Sequence, residues 1–265
     1  MKRPRRLSSL YVSLAFLMIL GFGAAAHAEW HFGIGTGFAG QTYDGDLGVT
    51  TNVLGPVLVD VDLSAEDVSD LMATAFGLGG YATDGTWKIM FSAGFLKLED
   101  EPAYSDPGVW TVTSDLSFEK TNGELTVGYA VYKNPSAIVH VLAGARYTKH
   151  EAESAITVTY PTDPAELLEW EAEEEWVDAV IGLTLDVPFA QTWSWSSRID
   201  AGFGGSEGTF GGSTGLTWAF AEHWAGMLTV GFMAVDYENG DRGDADWYKY
   251  DINEGAGGIK ILYRW

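Results

Sequence analysis

Along most of the chain, apolar and polar positions alternate with a period of two, the period of a strand and not of a helix. Residues 177–187 show it most clearly: Val177, Ala179, Ile181, Leu183, Leu185 and Val187 fall on one face, and Asp178, Val180, Gly182, Thr184 and Asp186 on the other. Residues 255–265 repeat it, with Ile259, Ile261, Tyr263 and Trp265 opposite Gly258, Lys260, Leu262 and Arg264. Ten such segments can be placed, at 30–40, 70–82, 87–96, 112–132, 138–147, 177–187, 193–203, 210–220, 224–234 and 255–265. In each, one face is almost wholly apolar and the other carries glycine, small residues or charges.

The connections supply the second regularity. Those after the second, fourth, sixth and eighth segments are short, such as Thr83-Asp84-Gly85 and Lys133-Asn134-Pro135-Ser136, and most of the others are long and polar. Short turns on one side, long loops on the other and an even strand count are the pattern of a sheet closed across a bilayer, apolar toward lipid and polar toward the lumen. The predicted fold is therefore all-β, a transmembrane antiparallel up-and-down barrel of ten strands, with eight as the alternative if one hairpin stands outside the membrane. Asn122-Gly123 is a hairpin signal by itself, but a turn there would make the count odd, so it is read as an irregularity within one strand. Val57, Val59, Val61 and Leu63 extend a strand or else precede a short helix capped by residues 64–67; both readings stay open. The acidic stretch from Lys149 to Glu175 reads as a solvated loop.

Aromatic residues sort into two groups. Trp30, Tyr81, Trp87, Tyr129, Trp193, Trp218, Trp224, Tyr263 and Trp265 lie near the termini and short turns, whereas Phe38, Tyr147, Trp176, Phe203, Phe210, Tyr237 and Trp247 lie toward the long loops. Two aromatic girdles at two interfaces are expected of a membrane barrel. The last strand resembles that of bacterial outer-membrane β-barrel proteins, of the small OmpA-like and porin-like kind. Those chains end in an aromatic with another two residues before it, and Tyr263 and Trp265 match. The resemblance implies that this pair is the signal read by the barrel-insertion machinery, and that outer-membrane lipid and lipopolysaccharide surround a monomer. Residues 1–28 have the form of a cleaved secretory signal, with Lys2, Arg3, Arg5 and Arg6, an apolar run, and Ala26-His27-Ala28 as an A-x-A site cut after Ala28. Two regions follow: a signal at 1–28 and a barrel at 29–265, located in the bacterial outer membrane.

Composition narrows the function classes. A net charge of −22 is unsuited to nucleic acid. The chain has no Cys, so no covalent framework holds it. Gly33, Gly35 and Gly37 spell GxGxG, but inside a strand with no helix after it, which is not a phosphate loop. Asp241, Asp244 and Asp246 cluster oxygen ligands in one loop without the twelve-residue spacing of an EF-hand. No metal or cofactor is assigned.

The lumen-facing positions carry Lys88, His140, Arg146, Arg198, Lys260 and Arg264 against Glu124, Asp178, Asp186, Asp200 and Glu254. Signs are nearly balanced, and about ten strands enclose little free space. These residues either close the cylinder as a structural core or line a narrow passive pore for small solutes or ions. Counting back from the turn at 133–136 puts Glu124 opposite Arg146, within salt-bridge reach. A surface role of the acidic loops, through cations or lipopolysaccharide, is the alternative. An outer-membrane hydrolase would need a base near the outer rim; only His150 is placed there, with no enzyme motif around it, and the expectation is that the chain is not an enzyme.

Overall fold

The computed structural model describes residues 29–51, 55–106, 110–159 and 166–265. Ala26 and Ala28, with the rest of the expected signal, lie outside these residues. Among the described residues, twelve strands and one short helix follow one another from His31: β1 (His31–Thr51), β2 (Gly55–Leu63), α1 (Ala65–Leu71), β3 (Met72–Thr83), β4 (Trp87–Asp100), β5 (Ala103–Asp106), β6 (Trp110–Asn134), β7 (Ala137–Thr159), β8 (Glu166–Pro188), β9 (Trp193–Phe203), β10 (Gly208–Ala219), β11 (Trp224–Asn239) and β12 (Tyr248–Arg264). Every pairing between them is antiparallel, and β12 pairs with β1 to close the ring. At the level of the short turns ten strands complete the circle, in the order β1, β3, β4, β6 to β12. There β1 pairs with β3, and β2 and β5 join only farther out, on β1 and β6. All ten segments read from the alternation are among these strands.

The wall faces hydrocarbon with its apolar side. Phe38 is 68 % exposed and Ile259, Leu228, Val230, Ile181 and Phe76 are similarly bare, which is the reverse of a soluble protein and the expected belt of a barrel in lipid. The lower edge of this belt is aromatic. Trp265 stacks on Phe32 at 5.6 Å, Trp193 on Trp218 at 5.8 Å, and Trp87 meets Tyr129 edge-on at 5.0 Å. Side chains hold the short turns: Asp84 accepts from the backbone N–H groups of Thr86 and Trp87, and Asn134 from those of Ser136 and Ala137.

Beyond the belt the strands do not stop. β6 has 25 residues and β7 and β8 have 23 each, where about 9–11 suffice to cross a bilayer. The stretch from Lys149 to Glu175, expected to be a loop, is strand on both arms as far as it is described, paired from Lys149↔Glu175 to Val158↔Glu166. Most of its carboxylates occupy one face; on the other, Trp170 and Ala172 pack on the core and Glu174 accepts from Tyr237 and Asn239. β9 and β10 are short by comparison, so the wall parts above them. One upper sheet is the extension of β4, β6, β7 and β8; the other is that of β11, β12 and β1 with β2. Between the two sits a buried cluster that includes Tyr43, Val49, Leu96, Leu98, Trp176, Val235, Tyr237, Tyr248, Tyr250 and Ile252.

Two members of the expected outer girdle, Trp176 and Tyr237, therefore belong inside, and a third, Trp247, is buried apart from that cluster. Trp176, Tyr237 and Trp247 are only 6 %, 7 % and 3 % exposed. Trp176 and Tyr237 stack at 4.1 Å across the gap between β8 and β11, and Trp247 donates to Glu238. Asn122 and Gly123 sit in unbroken register opposite Thr148 and Tyr147, neither turn nor irregularity.

Helix α1 bridges the other parting of the wall, and both readings of its region hold, strand and then capped helix. Ser64 accepts from the backbone N–H of Asp67, and the Asp67 carboxylate accepts from the Ser64 hydroxyl at 2.5 Å and its backbone N–H at 2.9 Å, a reciprocal capping box. Val68, one turn in, is fully buried in the cluster. The Ser64 hydroxyl, and after it the Ser64 N–H, hold the Asp67 carboxyl below the usual carboxylate range. A lowered folded-state pKa stabilises the helix above the unfolded value, and this is lost as pH falls through the lowered one. Ser64→Ala is expected to speed hydrogen exchange at the Val68 amide several-fold at neutral pH. An unchanged exchange rate would mean that burial of Val68 alone holds the helix.

Candidate functional site

The candidate site is the inside of the ring, built from inward positions of neighbouring strands. β6 and β7 bring Glu124 and Arg146 opposite each other, as counted from the sequence, and β9 adds Arg198 and Asp200 two residues apart on the same face. Arg146 Nη2 donates to Glu124 at 2.7 Å and to Asp200 at 2.5 Å; Arg198 donates to Glu124 at 2.5 Å and to Asp200 at 2.8 Å. Each carboxylate thus touches both guanidiniums, and the signs alternate around a closed four-membered ring with no net charge. Arg146 also reaches Thr209 on β10 at 3.2 Å. Charge-assisted pairs of this kind are the stronger ones, and partial burial spares them much of the screening that weakens surface pairs.

Below the ring, toward the short turns, Lys88 holds Asp186 at 2.7 Å with His140 Nδ1 at 3.7 Å from the same carboxylate. Above it, Lys120 pairs with Glu254, which also accepts from Tyr250 at 2.8 Å, and the ammonium lies 5.8 and 5.7 Å from the Tyr43 and Tyr250 ring centres. Between these layers is a cavity of about 100 Å³ bordered by Ser92, Lys120, Glu124, Arg146 and Tyr250. It holds a few waters at most, and the apolar cluster of the upper sheets covers it.

The remaining sequence candidates separate. Asp178 is fully buried and committed to the short outer turn after β9, accepting from the Gly205 and Ser206 N–H groups at 3.0 and 2.8 Å and from the Ser206 hydroxyl at 2.9 Å. Lys260 and Arg264 are inward on β12 and belong to neither charged layer. Tyr263 and Trp265 face lipid, Tyr263 meeting Trp224 edge-on at 5.1 Å. His150, expected at the rim, is 1 % exposed inside the upper core, hydrogen-bonded to the Tyr248 hydroxyl and flanked by Phe118, Trp176 and Tyr250. The sequence reading missed Lys120, Tyr248 and Tyr250, although all three are even-numbered inward positions of strands whose phase was already fixed.

The outward face of the upper sheet is acidic in a way composition alone does not convey. Glu119, Glu151 and Glu173 are directly opposed in one row across β6, β7 and β8, and Glu153 and Glu171 in the next. Opposed like charges cost stability. Lys149 offsets part of this through Glu151 and, at 2.9 Å, Glu173; Lys97 does so through Glu99 at 2.8 Å and Glu119 at 3.1 Å. Among the described residues no three His, Cys, Asp or Glu side chains are grouped to hold a metal ion.

No protein-family model and no curated protein sequence matches the chain. Solved structures do match in fold. The outer-membrane protease OmpT from Escherichia coli is similar over 89 % of this chain and 96 % of its own, with a TM-score of 0.54 at 8 % identity. The translocator domain of the autotransporter NalP from Neisseria meningitidis covers 97 % and 96 %, with a TM-score of 0.38 at 10 % identity. Ail, the attachment invasion locus protein of Yersinia pestis, covers 89 % and 99 %, with a TM-score of 0.29 at 10 % identity. A likeness of fold at this identity does not by itself select an activity. The closed ring, the apolar outer belt and the likeness to OmpT together give the chain the fold of the bacterial outer-membrane β-barrel proteins.

Proposed function

We propose that the protein is a closed barrel with a structural role in the outer membrane, carrying a rigid acidic sheet above it, and that its axis does not conduct. The observation that carries this reading is the four-membered ring of Glu124, Arg146, Asp200 and Arg198, which projects into the lumen from β6, β7 and β9 with every charge paired. An ion passing along the axis would meet these pairs and then have to cross the apolar core around Trp176 and Tyr250. Selective pores instead present rings of one sign or unpaired dipoles to the ion. No enzymatic step is assigned, because the one histidine of the upper half is enclosed by aromatic rings away from solvent.

Refolded protein in a planar bilayer is expected to give no steady single-channel conductance in 1 M salt, on the order of the ionic strength at which exposed pairs are screened. Removing two members of the ring together, as in Glu124→Ala with Asp200→Ala, is expected to introduce small, noisy openings. A steady conductance of the unmodified protein would overturn the closed reading and restore the narrow pore.

A further inference from the structure

The ring has one break within the lipid belt. β1 pairs with β3 only from His31↔Thr83 to Thr36↔Leu78, although β1 remains paired with β12 up to Val49 and β3 with β4 as far as Met72. β2 takes over the free side of β1 only from Tyr43. Gly37–Thr42 on β1 and Met72–Gly77 on β3 therefore face each other without a ladder. The register of β3 on β4 shifts between Met72 and Thr74, a bulge that turns the strand away from β1 as the chain leaves α1. At the lower corner the Thr36 hydroxyl donates to the Gly77 carbonyl at 2.6 Å. At the upper corner α1 closes the gap, with Ala65 Cβ 3.6 Å from where a side chain on Gly40 would begin.

The exposure pattern agrees with an opening. Residues 73–76 are exposed four in a row, as are Thr36, Gly37 and Phe38, where an intact wall would alternate. Phe38 and Phe76, 68 % and 58 % exposed, flank the lower part on the lipid side, and Asp44 is the first acid above it on the outward face of β1. The break thus lies toward the outer leaflet. On the inside the edges are Gly37, Ala39, Ala73, Ala75 and Gly77, which leave depth behind them. Backbone without partners is tolerated at membrane depth only where it borders protein or water. The break is accordingly wet on its inner side and apolar on its outer side.

Inside, beside it, stands Lys260. Its backbone is paired with Gly37, and its Cγ lies 2.8 Å from where a Gly37 side chain would begin, so the stem leans over β1. It is exposed and has no ion pair or side-chain hydrogen bond among the described residues, in contrast to Lys88, Lys97, Lys120 and Lys149. A single flexible ammonium suits a head group of one charge, whereas a phosphate favours a fork of donors. We propose that this break is a lateral binding site for a single-chain long carboxylate. The carboxylate sits on Lys260 inside the wall, and the hydrocarbon tail passes between β1 and β3 into the outer leaflet. This site is separate from the closed axis and does not depend on it.

The test uses the refolded full-length protein in phosphatidylcholine nanodiscs, titrated with fluorescent cis-parinarate that is then displaced by palmitate or by hexadecanol. Saturable palmitate binding above empty discs is expected. Lys260→Gln should weaken it at least about tenfold, the scale of one lost charge-assisted contact, leave hexadecanol unchanged, and be rescued by Lys260→Arg. Ala75→Trp, which fills the gap, should abolish both. Each variant is checked for the heat-dependent gel shift of a folded barrel, with Lys97→Gln as a remote control. Palmitate binding no greater than to empty discs, equal binding to Lys260→Gln, or full binding to Ala75→Trp would each overturn the proposal. So would displacement by the phospholipid of the disc alone.

Discussion

Arg146→Met is expected to lower the unfolding free energy by about 3–5 kcal/mol, the usual consequence of removing one partner from a buried charged group. The reason is local. Arg146 supplies one of the two cations that Glu124 and Asp200 each touch, and both carboxylates are nearly withdrawn from solvent. With methionine in its place, two acids face a single guanidinium, that of Arg198, at 2.5 and 2.8 Å. One of them must either take up a proton or remain ionised with half its partners. Urea unfolding of the refolded protein in micelles measures the loss. Adding Glu124→Gln to Arg146→Met restores neutrality and should recover part of it, so that the two changes together cost less than their sum. If the double variant is no better than Arg146→Met alone, the ring is packing and not charge, and the account of the sealed lumen loses its basis.

The Glu124–Arg146 contact was legible in the sequence, though for a reason only half understood from it. The sequence count assumed a turn symmetric about Pro135. In the structure the pairs next to the turn are Asn134↔Ala137 and Lys133↔Ile138, one step off that symmetry, and a bulge between Ala130 and Tyr132 shifts the register back. Two departures cancel, and the residues expected to meet do meet. The lipid belt and all ten crossing strands were equally legible, because period-two alternation against lipid is a continuous signal.

What the sequence reading missed lies above the belt, and the cause is the same in each case. Solvation was read from composition, and composition averages the two faces of a strand. In residues 169–175 the odd positions Glu169, Glu171, Glu173 and Glu175 dominate the count, while Trp170 and Ala172 on the other face pack on the buried cluster. Trp176 and Tyr237 were given to a girdle by their height along the strands. Their phase, even on β8 and odd on β11, already placed them opposite the lipid-facing Val177 and Phe232. His150 was placed at the rim for want of knowing that the strands continue past it. The break beside Lys260 could not be read at all, since it depends on where β3 leaves β1 and no single strand encodes that.

Trp176→Ala should separate the two halves of the molecule. Trp176 on β8 stacks on Tyr237 of β11 at 4.1 Å and meets His150 edge-on at 5.0 Å. With the hydrogen bond from the Tyr237 hydroxyl to Glu174 at 2.8 Å, it joins the upper sheets where β9 and β10 no longer stand between them. Emptying a buried Trp site costs about 3–5 kcal/mol, and here the loss falls on a part of the fold with no lipid around it. The ten strands in the belt keep their ladders, so the cost should appear as local opening and not as global unfolding. A glutamate-specific protease is therefore expected to cut the variant between Glu151 and Glu175 while the membrane-embedded remainder keeps its heat-dependent gel shift, and to leave the parent protein intact. Trp195→Ala, at a site 45 % exposed to lipid, is the matched control and should leave the hairpin protected. Resistance of Trp176→Ala equal to that of the parent would mean that the hydrogen-bonded edges alone hold the sheets together. The acidic face would then be rigid without an aromatic core behind it.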